Sequence, residues 1–153
     1  MTIEELQTIA VAAALKAELD PALVCAVCAH ESEGWQQYAA RFEEAFDERY
    51  VNPIPGISPT ENKLRAMSFG LMQIMGETAR ELGFAAKNLA ELFDPVSSVA
   101  YGCKKLKRCL DDQNQDVHNA LLRYNGGSNP DYPNLVLAHY NEYAYLNSAT
   151  RRP

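Results

Sequence analysis

Glu31 is the residue whose type and position in this sequence most clearly indicate chemistry. It follows the apolar run of residues 23–29, LVCAVCA, so its carboxyl group should emerge from a largely buried helix. Loss of hydration favours the protonated form of a carboxyl group, and the dipole at a helix C-terminus opposes its ionisation. A carboxyl group that stays protonated near neutral pH can protonate a leaving oxygen as a general acid. The alternative is an ordinary surface glutamate at a helix end.

A second feature is the segment of residues 67–75, MSFGLMQIM, which places the amide side chain of Gln73 inside an apolar run. Gly70 precedes this glutamine and Gly76 follows it. A buried amide that lacks hydrogen-bond partners costs roughly 1–3 kcal/mol, so Gln73 needs partners. Either it bonds to the backbone of a core turn, or it faces a polar ligand. The segment alone leaves both interpretations open.

The elements that must position these residues are predicted to be helices. Asp20 and Pro21 form a start signal, with Asp20 as N-cap and Pro21 in the first turn, for a helix that ends between Glu31 and Gly34. The other predicted elements are helices over residues 3–18, 35–50, 95–112, 115–127 (ended by Gly126 or Gly127) and 132–146, one or two helical turns over 88–93, and a loop over 51–63.

The length of 153 residues fits one domain with a buried core. We expect a compact, single, all-α domain over residues 1–153, because helical patterns run nearly throughout and no repeat or linker interrupts them. The net charge of −6 argues against a nucleic-acid partner, whose binding needs a basic face. It does not exclude carbohydrate, for which the eight Tyr, five Phe and one Trp provide stacking groups. A monomer is the default expectation.

The N-terminus does not have the pattern of a secretory signal, because Glu4 and Glu5 stand where basic residues are expected. No segment approaches the roughly 20 apolar residues of a membrane span, so we expect synthesis in the cytoplasm and no stable membrane insertion. The basic stretch of residues 104–108 is interpreted as a solvated helix face, with contact to anionic lipid or polymer as the alternative.

No metal site is expected. Cys25 and Cys28 lack a second close Cys/His pair at zinc spacing, and His118 and His139 have no ligand partner nearby in sequence. The four cysteines are interpreted as buried free thiols, and a bridge between the pair 25/28 and the pair 103/109 stays open.

Four segments occur in the order typical of one family: AVCAHESEGW, SFGLMQIMGETARELGF, LFDPVSSVAYGCKKL and ALLRYNGG. The chain resembles the lytic transglycosylases, which have a lysozyme-like fold and are related to goose-type lysozymes. The resemblance covers residues 21–143 and is nearest to phage-encoded endolysins and virion-associated members. It implies a saccharide-binding cleft, peptidoglycan glycan strands as substrate, and no cofactor. It also implies action on the bacterial cell wall, after release or as part of a virion. No separate wall-binding domain is expected.

The resemblance implies a role for each matching residue. Glu31 corresponds to the catalytic acid/base, and the phenol of Tyr124 is placed to bond the catalytic carboxyl group or the sugar. The substrate-binding positions implied by the match are Ser32, Ser68, Gly70, Leu71, Met72, Gln73, Tyr124 and Asn125.

One departure from the family pattern bears on the reaction. Glu31 and Gly70 are 39 positions apart, farther than in the simple family pattern, and the extra segment contains Glu43 and other acids up to Glu48. A second acid there, with Glu43 as the candidate, would position a water molecule and make the enzyme a hydrolysing muramidase. A polar helix face is the plainer interpretation of these acids. A non-catalytic glycan-binding or virion structural protein is the alternative of a different class.

Overall fold

The computed structural model describes residues 1–52 and 54–149. The helices are α1 (Ile3–Lys16), α2 (Pro21–Glu31), α3 (Glu44–Phe46), α4 (Pro59–Arg65), α5 (Gly76–Glu81), α6 (Pro95–Asp112), α7 (Val117–Tyr124), α8 (Tyr132–Tyr143) and α9 (Tyr145–Ala149), with a π-helical turn at Asp47–Val51 and a 3-10 helix at Leu89–Phe93. Three short strands, β1 (Ala40–Phe42), β2 (Met67–Phe69) and β3 (Ile74–Met75), form an antiparallel sheet in the order β1-β2-β3.

Helix α2 lies at the centre of the main core. Its residues 21–29 are all buried, and it packs against α1 and α8. The predicted start is confirmed, because the Asp20 carboxylate accepts hydrogen bonds from the backbone N–H groups of Ala22 (2.8 Å) and Leu23 (3.3 Å). These bonds satisfy N–H groups that lack partners inside the helix. Glu31, the last residue of α2, follows this buried stretch and lies at the edge of the core, where it is half-buried.

Helix α6 supports the hairpin formed by β2 and β3. Its predicted start is also confirmed, since Asp94 accepts a hydrogen bond from the backbone N–H of Ser97 (2.9 Å). Gly102 of α6 faces Met72 so closely that a Cβ added to the glycine would lie 2.4 Å from the Met72 Sδ atom. The hairpin turn therefore packs directly on the backbone of α6.

The predicted third helix over residues 35–50 is wrong. The chain instead forms strand β1, the short helix α3 and the π-helical turn. Residues 40–42 pair with residues 67–69. This pairing gives the backbone N–H and C=O groups hydrogen-bond partners in a sheet, although the local sequence favoured a helix. The fold is mainly α, as predicted, but includes this small sheet.

Three further elements differ from the predictions. The loop expected over residues 51–63 contains the start of α4, where Ser58 caps the helix by accepting from the Glu61 N–H (3.2 Å). The first helix ends at Lys16, because Glu18 adopts a left-handed conformation (φ 57°). The predicted helix over residues 132–146 is divided between α8 and α9.

All four cysteines are buried thiols. Within residues 1–52 and 54–149, none of the helices is both long and apolar enough to cross a membrane.

Candidate active site

Two adjoining cavities form a groove around the end of α2. Four residues line both cavities: Glu31, Arg41, Gln73 and Asn125. The larger cavity, about 530 Å³, includes Tyr132 at the start of α8, and we name it the α8 section. The smaller, about 370 Å³, includes Arg123 and Tyr124 of α7, and we name it the α7 section. The groove is therefore built from the ends of helices and from the sheet.

The carboxyl group of Glu31 is half-buried where the two sections meet. Its Oε1 atom accepts a hydrogen bond from the Tyr132 hydroxyl (2.5 Å). Loss of hydration raises the pKa of Glu31 above its usual value, whereas the Tyr132 hydrogen bond and the nearby charges of Lys105 and Arg41 lower it. The net shift is upward, in the direction that a general acid needs.

Tyr132 is a site residue that the sequence did not indicate. It is the first residue of α8 and is 2% exposed. The ring of His30 packs edge-on against the Tyr132 ring, with 5.3 Å between ring centres, and so fixes the phenol beside Glu31. Pro133 marks the start of the helix, but no local signal shows that this start meets the end of α2.

Tyr124 has a different environment from the one expected. Its side chain is buried, and its hydroxyl donates a hydrogen bond to the backbone carbonyl of Met72 (2.7 Å). The phenol that contacts Glu31 is that of Tyr132 instead. Tyr124 thus ties helix α7 to the hairpin turn, and its ring forms part of the wall of the α7 section.

The Gln73 side chain uses its amide group within the protein. Its Nε2 donates to the carbonyls of Gly70 (2.9 Å) and Ala39 (3.0 Å), and its Oε1 accepts from the Ser68 hydroxyl (2.6 Å). This is the backbone-bonded arrangement that the sequence left open. These hydrogen bonds connect the hairpin turn to Ala39, the residue before β1. Gln73 also lines both sections of the groove.

The remaining predicted positions fall into two groups. Leu71 and Met72 are fully buried in the core, Gly70 is buried in the turn, and none of the three is among the groove-lining residues. Ser32 and Asn125 do line the groove. However, the Ser32 hydroxyl donates to the Cys28 carbonyl (2.6 Å), and the Asn125 side-chain oxygen accepts from the backbone N–H of Asn129 (3.0 Å).

Two acids of the extra segment, Glu43 and Asp47, form ion pairs with basic side chains. Glu43 lines the α7 section but forms an ion pair with Arg41. Asp47 is buried and paired with Lys63 (2.6 Å). Glu33, which the sequence did not single out, is exposed and lines the α8 section. Among the described residues, no three His, Cys, Asp or Glu side chains cluster so as to hold a metal ion.

Replacing Tyr132 with phenylalanine is expected to change the pH dependence of activity. Its hydroxyl stabilises the ionised carboxylate, so its removal raises the pKa of Glu31 further. The protonated acid then persists to higher pH, and the alkaline limb of the kcat/KM profile shifts upward. We also expect kcat/KM to fall by about 10-fold to 100-fold, because one charge-assisted hydrogen bond no longer positions the carboxyl group.

Tyr143→Phe is the matched control for this change. The Tyr143 hydroxyl accepts a hydrogen bond from Trp35 Nε1 (2.9 Å) within the core, and Tyr143 does not line the groove. In this variant the alkaline limb of the kcat/KM profile should lie at the same pH as in the wild-type protein. An alkaline limb that stays in place or moves to lower pH in Tyr132→Phe would show that Tyr132 does not act on Glu31.

The fold and the groove define a class of protein. A mainly α domain with a half-buried glutamate at the end of its buried helix α2, inside a groove, is the arrangement that the resemblance to lytic transglycosylases implies. The sequence model of the Transglycosylase SLT domain matches residues 8–135, and the chain belongs to this family.

One relative is a transglycosylase of Enterobacteria phage PRD1, which is 32% identical to this chain over 138 residues. The match covers 85% of this chain and 41% of the relative, so the chain spans about two fifths of the relative's length. No solved structure is significantly similar to the chain.

Proposed function

We propose that this chain cleaves the β-1,4 bond between N-acetylmuramic acid and N-acetylglucosamine in peptidoglycan, as a lytic transglycosylase with Glu31 as acid and base. The observation that carries this proposal is the Glu31 carboxyl group, which faces the groove with a raised pKa and is held by Tyr132. Membership of the transglycosylase family supports the same reaction.

In the first step, protonated Glu31 gives its proton to the oxygen of the scissile bond, and the bond to C1 of muramic acid breaks. Positive charge develops at C1, and the N-acetyl group of the same sugar can stabilise it, as in substrate-assisted glycosidases. The sugar that leaves carries the new hydroxyl group. Glu31 is now a carboxylate, which the Tyr132 hydrogen bond and the charges of Lys105 and Arg41 stabilise.

In the second step, the Glu31 carboxylate takes the proton from the 6-hydroxyl of muramic acid, and that oxygen attacks C1. The product is a 1,6-anhydro sugar, and Glu31 returns to its protonated form. No water is consumed. One carboxyl group therefore serves as acid and then as base, and the reaction needs no second acid.

The surroundings of Glu43 favour this reaction over hydrolysis. A hydrolysing enzyme of the inverting type needs a second carboxylate that is free to activate water. Glu43 is held by Arg41, and Asp47 is held by Lys63, so both of these carboxylates already have a cationic partner. Hydrolysis of the same bond remains the alternative that the products of digestion distinguish.

We propose further that the activity opens the bacterial cell wall during a phage infection cycle. The support is the phage transglycosylase that matches 85% of this chain. The assay that tests the function is clearing of a suspension of purified peptidoglycan, with measurement of soluble glycan. Release of soluble fragments is expected. A protein that sediments with the peptidoglycan and releases nothing would be a glycan-binding or structural protein instead.

A further inference from the structure

The two sections of the groove differ in charge. Three basic side chains line the α7 section: Arg41, Lys105 and Arg123. The α8 section shares Arg41 but contains neither of the other two, and it adds the carboxylate of Glu33. On a chain of net charge −6, a groove section with three cations indicates a ligand group of negative charge.

Two of the three cations already have an acidic partner. Arg41 pairs with Glu43, and the Arg123 Nη2 atom lies 2.9 Å from a carboxylate oxygen of Asp112. Lys105 does not pair with a carboxylate of the described residues within 4.0 Å. Its Nζ atom lies instead over the ring of Tyr124, 4.1 Å from the ring centre. Lys105 is therefore the cation of this section that is available to a bound anion.

The environment of Lys105 suits an anionic group rather than water alone. The side chain is half-buried, and burial lowers the pKa of its amine, whereas the negative charge of Glu31 raises it. A carboxylate bound beside the amine would add to the second effect and favour the charged form. An ammonium group has three N–H donors, so contact with the Tyr124 ring leaves donors for an oxygen acceptor.

We propose that the α7 section binds a carboxylate carried by the glycan strand, and that Lys105 determines this specificity. The proposal rests on the proposed function and names its substrate class: strands with an ionised carboxylate near the scissile bond, in preference to neutral β-1,4-linked amino sugars. Two sources supply this chemistry. One is the lactyl carboxylate of muramic acid in a peptide-free strand, and the other is a carboxylate of a stem peptide.

The test is a set of binding measurements in the Glu31→Gln background, which prevents turnover during calorimetry. The probes are a peptide-free tetrasaccharide of alternating N-acetylglucosamine and N-acetylmuramic acid, the same sugar with its lactyl carboxylates converted to methylamides, and tetrasaccharides bearing stem peptides with free or amidated carboxylates. We expect the carboxylate form to bind about 10-fold or more tightly than its neutral counterpart, as one charge-assisted contact predicts. Whichever pair shows the preference identifies the source.

Lys104 provides a matched control for Lys105. It is the next residue back on α6, its Nζ atom also lies 4.1 Å from an aromatic ring centre, that of Tyr101, and it is outside the groove sections. Adding Lys105→Met should remove the preference for the carboxylate, and Lys105→Arg should retain most of it. Adding Lys104→Met should leave the preference intact. Thermal unfolding of each variant checks that the fold is kept.

The proposal is overturned if charged and neutral forms bind equally well, if the preference persists in Lys105→Met, or if Lys104→Met removes the preference as Lys105→Met does. Failure of the proposed function would look different, because wild-type protein would then release no soluble fragments from peptidoglycan whatever the binding preference. A wild-type enzyme that cleaves peptidoglycan but binds both forms equally would refute the role of Lys105 alone.

Discussion

Glu31→Gln is expected to reduce the rate of peptidoglycan cleavage by about 10²–10⁴-fold, the range that a positioned general acid supplies. Glutamine retains the size and shape of the side chain and can still accept from the Tyr132 hydroxyl, but it cannot transfer a proton. Because the same carboxyl group acts in both proposed steps, its loss affects protonation of the leaving oxygen and activation of the 6-hydroxyl alike. Release of soluble glycan from a peptidoglycan suspension measures the effect.

Two further substitutions serve as comparisons for Glu31→Gln. Glu43→Gln removes the candidate second acid of the α7 section and should retain most of the activity. Glu48→Gln alters an exposed carboxylate of the same chain segment, outside the groove, and should behave as wild type. Equal activity of the Glu31→Gln and wild-type proteins would show that Glu31 is not the catalytic acid. Loss of activity in Glu43→Gln to the same degree would indicate paired carboxylates and hydrolysis.

Gly70→Ala is expected to destabilise the domain by about 2–5 kcal/mol, since two costs combine. Gly70 has φ +67°, a conformation that L-residues with a side chain adopt at a cost. An added Cβ would also lie 2.4 Å from the Ser98 Oγ atom and 3.0 Å from the Leu92 carbonyl oxygen. Urea unfolding followed by circular dichroism measures the loss.

Gly83→Ala separates the two costs. Gly83 has φ +90°, but an added Cβ would have no atom within 4 Å, so only the backbone cost of about 1–2 kcal/mol applies. Adding Ser98→Ala to Gly70→Ala removes the closest contact and should recover part of the stability. If Gly70→Ala and Gly83→Ala lower the free energy of unfolding by the same amount, the close approach of α6 to the turn adds nothing to the effect of Gly70→Ala.

Much of the helical scaffold follows from local signals in the sequence. Asp20 and Asp94 each precede a proline, and both act as N-caps because their carboxylates reach backbone N–H groups two or three residues ahead. The apolar run before Glu31 correctly indicated a buried helix with a carboxyl group at its end. These features depend on residues close together in the chain.

The features that the sequence did not indicate depend on distant residues. The hydrogen bond from Tyr132 to Glu31 joins residues 101 positions apart, so no spacing rule identifies it. Strand β1 forms only because residues 40–42 meet residues 67–69, and its own composition resembles a polar helix. The same limit applies to Gln73, whose partners include the carbonyl of Ala39.

The most direct test of the central claim is mass spectrometry of the soluble fragments that the wild-type protein releases from purified peptidoglycan in water enriched in oxygen-18. The account predicts muramic acid ends that are one water lighter than hydrolytic products, in the 1,6-anhydro form, and that contain no oxygen-18. Reducing ends that carry the heavy oxygen would contradict it, because water would then have attacked C1.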